Sequence, residues 1–378
     1  MKIGVPHEVM IGEARVALTP AACKALVDAG HEVFVQQDAG NDSGYADTEY
    51  TDVGASLVAD AERLYEAATL VVKVKQPLDS DLRYLSSDHV LFSYLHLAAD
   101  IALIHRLCDI GLTAIPFESV STESGSLPLL SPMSQVAGRI ATIRGASLLF
   151  RNRGGRGILL GGIDGAEDGR VVVLGAGVAG SHAAAAAAEL NARVDVLDLK
   201  QDKLDALKQD YPEINTHIST PELVESLCIE ADLVIGAVLV AGRRAPVILK
   251  QSVIRQMNPG SVIIDISIDQ GGCVEGVHAT TSEELSYIHD GVIHSAVPNM
   301  PAAVARTSSQ ALSSAILPYV HALADGGSEM LASEPSDGGT AHAIYRARAI
   351  SRGVLVDAVL QQEVEAAEAL SLIHISEP

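Results

Sequence analysis

Short apolar runs alternate with amphipathic stretches along most of the chain, a pattern typical of strands that alternate with helices. In the first part of the chain, the apolar runs predict strands at residues 2–5, 32–36, 70–74, 90–95 and 112–116. Thr19 and Pro20 predict the start of a helix that ends ahead of Gly30. A further helix is predicted near residues 101–109. Such alternation with short connections indicates a doubly wound α/β domain.

A second series of apolar runs begins near the middle of the chain. A long helix is predicted at residues 134–149, followed by a glycine-dense connector. Further strands are predicted at residues 171–174, 193–197, 233–237, 261–266 and 292–296. A helix over residues 303–324 is then expected to return to the first series.

The two series fit two domains better than one, because single hydrophobic cores stop growing near about 250–300 residues and the chain has 378. The predicted fold class is α/β, with two doubly wound Rossmann-type domains joined by long helices around an interdomain cleft. One domain is expected to comprise residues 1–128 plus 307–378, and the other residues 129–306.

Three glycines directly follow the apolar run at residues 171–174, in the order Gly175-Ala-Gly177-Val-Ala-Gly180. In a dinucleotide site the first glycine makes the tight turn, the second lets a pyrophosphate approach the backbone, and the third lets the helix pack on the strand. The N-terminus of the following helix offers N–H groups to the phosphates. A purely structural turn is the alternative, but the order strand, glycines, helix and strand favours a nucleotide site.

An acidic residue ends the next predicted strand, about twenty residues beyond the glycines, where a ribose-binding carboxylate is expected. Asp198 occupies this position, and Asp195 is a competitor that lies inside the strand. A carboxylate accepts hydrogen bonds from a ribose 2′-hydroxyl and repels a 2′-phosphate, so Asp198 favours NAD over NADP.

Composition and charge exclude several function classes. The 48 acidic and 26 basic residues give a net charge of −22, which argues against binding to nucleic acid or to anionic membranes. No apolar run approaches the roughly 18 residues that a membrane helix needs, and the first residues resemble a strand more than a signal peptide. We therefore expect a cytoplasmic protein. The four cysteines are scattered and the histidines form no HExxH pattern, so no metal is predicted.

Four reactive side chains lie near predicted strand ends: Arg15, Lys75, His96 and Asp269. Each has a structural alternative: a surface loop charge, a solvated strand end, a satisfied core histidine and a turn cap, respectively. Taken together, the four side chains suggest catalytic chemistry and not four separate structural roles. An arginine and a lysine hold a small carboxylate, a histidine exchanges protons with a carbonyl or amine, and an aspartate activates water beside a nicotinamide.

Several stretches carry a resemblance to one family: EARVA at residues 13–17, VKVKQP at 72–77, LHLAA at 95–99, LPLLSPMSQVAG at 127–138, ADLVIGAVLV at 231–240, DISIDQGGC at 265–273 and NMP at 299–301. With the glycine motif, they make the chain resemble alanine dehydrogenases over about residues 1–325. The resemblance implies reversible NAD-dependent oxidative deamination of L-alanine to pyruvate and ammonium. It also implies a homohexamer.

The resemblance assigns roles by position. Arg15 and Lys75 bind substrate, and His96 and Asp269 transfer protons. The residues implied to contact NAD are Ser134, Gly175, Gly177, Val178, Gly180, Asp198, Lys203, Ser219, Val238, Leu239, Ile266, Ser267, Ile268, Val297, Pro298, Asn299 and Met300.

The chain departs from the family pattern at three places. His278 replaces a common arginine near the cofactor, Tyr94 replaces a frequent phenylalanine beside His96, and the sequence diverges after about residue 326. Two related activities are alternatives: the NAD-binding subunit of a proton-translocating transhydrogenase and a saccharopine dehydrogenase. The joint presence of Arg15, Lys75, His96 and Asp269 favours the alanine dehydrogenase, since a pure nucleotide carrier needs no carboxylate clamp.

Overall fold

Helices and strands alternate through most of the chain in the computed structural model, which describes residues 1–239, 244–281, 284–335 and 338–375. The strands are β1 (Lys2–Val5), β2 (Glu32–Gln36), β3 (Ser56–Val58), β4 (Leu70–Val72), β5 (Val90–Ser93), β6 (Thr113–Pro116), β7 (Arg170–Leu174), β8 (Arg193–Asp198), β9 (Asn215–Ile218), β10 (Leu233–Gly236), β11 (Val262–Asp265), β12 (Tyr287–His289), β13 (Val292–Ser295), β14 (Ile350–Ser351) and β15 (Val354–Leu355). The helices are α1 (Pro20–Asp28), α2 (Asp47–Thr51), α3 (Ala61–Ala67), α4 (Asp79–Leu82), α5 (Ile101–Ile110), α6 (Ser131–Leu148), α7 (Val178–Glu189), α8 (Gln201–Asp210), α9 (Pro221–Glu230), α10 (Gln251–Ile254), α11 (Ala305–Met330), α12 (Thr340–Arg346) and α13 (Ala358–Ile375).

The first compact unit comprises Met1–Pro132 and the chain from Val304 onward. Its sheet has the order β15-β14-β6-β5-β4-β1-β2-β3. Strands β1 to β6 run parallel, and β14 and β15 extend one edge in antiparallel fashion. Because β1 lies between β4 and β2, the strand order reverses beside it, which is where ligands bind in open α/β sheets.

The second compact unit comprises Met133–Ala303, with the sheet order β12-β13-β11-β10-β7-β8-β9. All neighbours pair in parallel except β12 with β13. The strand order reverses at β7, which directly precedes the glycine motif. Helix α6 packs closely on α7, since the hydroxyl of Thr142 donates to the carbonyl of Ala183 at 2.8 Å. The alanine run of α7 is buried.

The fold class predicted from the sequence is confirmed: two α/β units of Rossmann type contain mainly parallel sheets. Some element bounds were wrong: helix α6 begins at Ser131 and not at residue 134. Helix α7 begins at Val178, because Gly177 occupies its N-cap position. Thr19 stands at the N-cap of α1 but makes no capping hydrogen bond, and its hydroxyl lies 3.3 Å from Ser313 Oγ instead.

Several short strands and helices could not be predicted from the hydrophobic pattern. The strand β3 and the helices α2, α3 and α4 were not predicted, since three to seven residues are too few for a period to emerge. Within the described residues, the structure contains no helix that is both long and apolar enough to cross a membrane.

Candidate functional site

The glycine turn after β7 has the geometry that its sequence predicted. Gly175 adopts a φ of +104°, which only glycine tolerates readily. A side chain on Gly180 would place its Cβ 1.8 Å from the carbonyl oxygen of Gly175, so this position must stay small for α7 to pack. A Cβ on Gly177 would meet nothing within 4 Å. The open space beside Gly177, at the N-terminus of α7, therefore fits an approaching phosphate group.

Asp198 holds this turn together. Its carboxylate accepts the backbone N–H of Ala176 at 2.7 Å and that of Lys200 at 2.9 Å, and Lys203 Nζ lies 3.9 Å away. The competitor Asp195 is buried, and its carboxylate lies 2.8 Å from His217 Nε2. Asp195 therefore pairs with a residue of the neighbouring strand β9 and not with the glycine turn. The strand-end acid thus contacts the glycine turn directly.

The other residues implied to contact NAD occur mainly after the carboxyl ends of parallel strands in the second unit. Val238 and Leu239 follow β10, and the N–H of Val238 donates to Ser267 Oγ at 2.9 Å. The remaining members of the set follow β9, β11 and β13 or lie on α6, α7 and α8: Ser134, Val178, Lys203, Ser219, Ile266, Ile268, Val297, Pro298, Asn299 and Met300. Parallel strands share one carboxyl edge, so the segments after these strands gather there.

Asp269 lies in the same unit, on a 3₁₀ turn (Ile266–Gln270) that follows β11, and it is exposed. Asp265 organises this turn and was missed by the sequence analysis. Its fully buried carboxylate accepts the N–H groups of Ser267 at 2.9 Å and of Cys273 at 2.8 Å. Burial raises the pKa of Asp265, and the backbone hydrogen bonds oppose that rise. The sequence signal that could have identified Asp265 is an acidic residue at the end of an apolar strand.

Arg15 lies in the first unit, in the loop between β1 and α1. Its guanidinium is buried and pairs with Glu13 through two bonds, Nε–Oε1 at 2.7 Å and Nη2–Oε2 at 2.5 Å. The interpretation of Arg15 as a surface loop charge is therefore wrong. Glu13, the first residue of the EARVA motif, fixes the plane of the guanidinium.

His96 lies three residues beyond the end of β5 and adopts the left-handed conformation, with φ of 48°. The carboxylate of Glu118 accepts its backbone N–H at 2.6 Å and lies 4.0 Å from its Nδ1. Glu118 was also missed by the sequence analysis, because nothing in its local sequence distinguishes it from a surface acid. It fixes the position of His96 at the end of the sheet.

Arg15, Lys75 and His96 come together in the first unit. Although 48% of the His96 side-chain surface is accessible, loss of surrounding water together with the charges of Lys75 and Arg15 lowers the pKa of His96 to about 4. The imidazole is therefore neutral at pH 7 and able to accept a proton. The interpretation of His96 as a satisfied core histidine is wrong, because the side chain is half exposed.

Tyr94, one of the departures from the family pattern, lies next to this group. Its ring is nearly parallel to that of His96, with 6.1 Å between centroids. Its hydroxyl donates to the carbonyl of Leu129 at 2.5 Å and so anchors that segment. A second departure, His278, stacks on Tyr287 at 3.8 Å between ring centroids.

The prediction of no metal stays a prediction. Among the described residues, His31, His321 and Asp325 have potential ligand atoms within 4.8 Å of one another. His31 Nε2 lies 3.1 Å from Asp325 Oδ1, the separation of an ordinary paired histidine and carboxylate.

Known proteins resemble this chain over most of its length. Residues 4–137 match the family model described as Alanine dehydrogenase/PNT, N-terminal domain, and residues 141–345 match the corresponding C-terminal domain. An alanine dehydrogenase of Halomonas elongata is 47% identical over 328 residues, which cover 86% of this chain and 88% of that protein.

Solved structures extend the comparison to the fold. An L-alanine dehydrogenase superposes with a TM-score of 0.91 at 43% identity, covering 97% of this chain and 99% of its own. A transhydrogenase from Sinorhizobium meliloti superposes with a TM-score of 0.80 at 23% identity, covering 95% and 99%. The second likeness concerns the fold alone.

Proposed function

Since the chain belongs to the alanine dehydrogenase/PNT family, we propose that it oxidises L-alanine to pyruvate and ammonium with NAD as hydride acceptor, and that it catalyses the reverse reductive amination. The chain is an enzyme of the alanine dehydrogenase type, given its 47% identity to a curated member over most of its length. The observation that carries the proposal is the grouping of Arg15, Lys75 and His96 in one unit.

The first unit supplies a clamp for a small carboxylate. Arg15 is held in place by Glu13, so its guanidinium loses little freedom when a second carboxylate binds. Lys75 adds a second positive charge close to His96. A carboxylate bound by these two cations would place the neighbouring Cα–N group of an amino acid beside the imidazole.

The second unit supplies the nucleotide site. The open space at Gly177 fits a pyrophosphate, and Asp198 would receive the ribose hydroxyl while it holds the turn. NAD, when bound, supplies the hydride acceptor for the alanine Cα. We therefore assign substrate binding to residues 1–128 plus 307–378 and cofactor binding to residues 129–306.

Two residues handle protons once the imine has formed. Asp269, exposed on its 3₁₀ turn, takes a proton from the water that adds to the imine carbon and returns it to the amine nitrogen. His96, which is neutral, accepts the proton from the hydroxyl of the resulting carbinolamine as the carbonyl forms and ammonia leaves. The bound carboxylate offsets the charges of Arg15 and Lys75, so substrate binding raises the proton affinity of His96 when the proton must be taken up.

A transhydrogenase subunit has the weaker support. It needs the nucleotide site but not the clamp, and here Arg15 is buried in an ion pair that orients it. The similarity to the solved transhydrogenase stands at 23% identity, against 43% for the solved L-alanine dehydrogenase.

We also propose that the enzyme is a cytoplasmic homohexamer that acts on small molecules and binds neither nucleic acid nor membranes. The net charge of −22 repels polyanions. Exposed apolar side chains in the second unit, such as Ile143, Phe150 and Ile163, suit contacts between copies. Sedimentation analysis of the purified chain tests the hexamer.

The activity is tested by following NADH absorbance with L-alanine, with L-lysine plus 2-oxoglutarate, and without substrate. We expect NADH formation only with L-alanine. Consumption of added NADH with lysine plus 2-oxoglutarate, a reductive condensation, would indicate a saccharopine dehydrogenase, and no alanine-dependent NADH would refute the proposal. NADP in place of NAD gives the cofactor preference in the same assay.

A further inference from the structure

Glu8 is a buried carboxylate that none of the steps above uses. It lies shortly after β1, and only 7% of its surface is exposed. One oxygen accepts the backbone N–H of Val74 at 2.5 Å, and the other lies 3.4 Å from the backbone N–H of Lys75. Both contacts are made to the segment that presents the Lys75 side chain.

The position of Glu8 follows from the sheet. The pairing of β1 with β4 ends at Gly4 and Val71, so the backbone of β1 offers no acceptor to the residues that follow β4. The carboxylate of Glu8 takes over that role for Val74 and Lys75, which lie just beyond the strand.

A buried lysine supports the same carboxylate. Lys73 Nζ lies 2.7 Å from Asp81 Oδ2 and 3.8 Å from Glu8 Oε2, and its side chain is almost fully buried. Burial raises the pKa of Glu8, whereas the charge of Lys73 and the backbone hydrogen bonds lower it. A buried carboxylate with this many partners has one orientation available to it, and a rigid support is what a positioning residue needs.

We propose that Glu8 is the positioning residue for the substrate-binding Lys75, and that it governs affinity for the substrate carboxylate through the backbone of residues 74 and 75. The inference rests on the proposed function. It completes a parallel between the two cations of the clamp, because Glu13 orients Arg15 through its side chain and Glu8 orients Lys75 through its main chain. Both carboxylates lie in the loop between β1 and α1.

The test compares Glu8→Ala and Glu8→Gln with a matched control, Asp81→Asn. The control weakens the other ion pair of Lys73 but leaves the backbone of Lys75 untouched. We expect Glu8→Ala to raise KM for alanine about ten-fold, as the loss of one good hydrogen bond implies. Glu8→Gln retains one acceptor oxygen, so KM should rise about three-fold. The KM for NAD should stay within about two-fold of wild type, and the control should keep the wild-type KM for alanine.

Thermal denaturation shows whether a rise in KM comes from the loss of positioning by Glu8 or from a general loss of stability. If Glu8→Ala keeps a KM for alanine within two-fold of wild type, or if Asp81→Asn raises KM equally at the same loss of Tm, the inference is wrong. Should Glu8→Ala fail to fold, Glu8→Gln decides alone. Calorimetric binding of pyruvate to wild type and Glu8→Gln needs no turnover. If wild type gives no NADH with alanine, the proposed function fails, and pyruvate affinity still tests Glu8.

Discussion

The carboxylate of Glu118 accepts the backbone N–H of His96 at 2.6 Å, and it does so where the backbone of His96 turns left-handed. A left-handed residue other than glycine costs about 1–2 kcal/mol. The N–H of Leu95 also points to Glu118, at 3.2 Å. Glu118 thus stabilises the turn that directs the imidazole away from the strand, and burial raises the pKa of this carboxyl group.

Replacing Glu118 should therefore impair catalysis more than folding. We expect Glu118→Ala to lower kcat by about 10- to 100-fold, because the imidazole loses its fixed direction. Glu118→Gln keeps an acceptor for the N–H of His96 and should retain most of the activity. Steady-state kinetics with L-alanine measure both, and NAD affinity is the control. An alanine variant with wild-type kcat would show that the turn is held by other contacts.

After burial, the charge of Lys75 is the largest contribution to the lowered pKa of His96. Burial, Lys75 and Arg15 together lower the pKa of His96 to about 4, so removing one cation must raise it. We expect Lys75→Met to shift the imidazole titration upward, toward the ordinary value near 6.5. An NMR titration of the His96 ring, assigned with His96→Gln, measures the shift in the absence of substrate. An unchanged titration would mean that burial alone sets the pKa.

The sequence predicted the parallel sheets and the glycine turn because both depend on local patterns. Glycine spacing and apolar runs are written in consecutive residues, and Asp198 is placed by the length of one strand–helix–strand unit. The supporting carboxylates Glu8 and Glu118 could not be found in this way. They accept backbone N–H groups from residues 66 and 22 positions away. Only the folded sheet brings such groups together.

Two glycines of the same motif should respond differently to a single methyl group. A Cβ at Gly180 would lie 1.8 Å from a carbonyl oxygen, whereas a Cβ at Gly177 would meet nothing within 4 Å. We expect Gly180→Ala to destabilise the second unit by several kcal/mol. Gly177→Ala should fold with an almost unchanged Tm and bind NAD at least about ten-fold more weakly, because the methyl group occupies the phosphate position. Thermal denaturation and NAD titration separate the two effects, and equal NAD affinity in Gly177→Ala and wild type would place the pyrophosphate elsewhere.

Asp198 has two roles that one pair of variants can separate. It accepts the N–H of Ala176 and is the expected partner of the ribose hydroxyl. Asp198→Asn keeps an acceptor for Ala176 but loses the charge that repels a 2′-phosphate, so the NAD-to-NADP preference should narrow while Tm holds. Asp198→Ala should narrow the preference and lower Tm as well. The ratio of kcat/KM for the two cofactors is the measurement, and an unaltered ratio in both variants would assign ribose recognition to another residue.

His294 is buried, and its ring nitrogens make no well-formed hydrogen bond to any residue that the structure describes. Its ring stacks on Tyr287 with 5.2 Å between centroids. Burial, with smaller contributions from His289 and His278, lowers the pKa of His294 to about 4. The folded protein therefore keeps this imidazole neutral at pH values where an unfolded chain, with a pKa near 6.5, binds a proton.

Acid should consequently destabilise the second unit partly through His294. The unfolded state binds the extra proton as pH falls below about 6.5, so stability is lost between there and about pH 4, by up to about 3 kcal/mol. His294→Phe preserves the stacking on Tyr287 and removes both unpartnered nitrogens and the titration. We expect a higher free energy of unfolding than wild type at pH 7 and a difference that widens toward pH 4. Denaturant unfolding between pH 7 and pH 4 measures this difference. If the free energy of unfolding falls equally with pH in both proteins, His294 has an ordinary pKa.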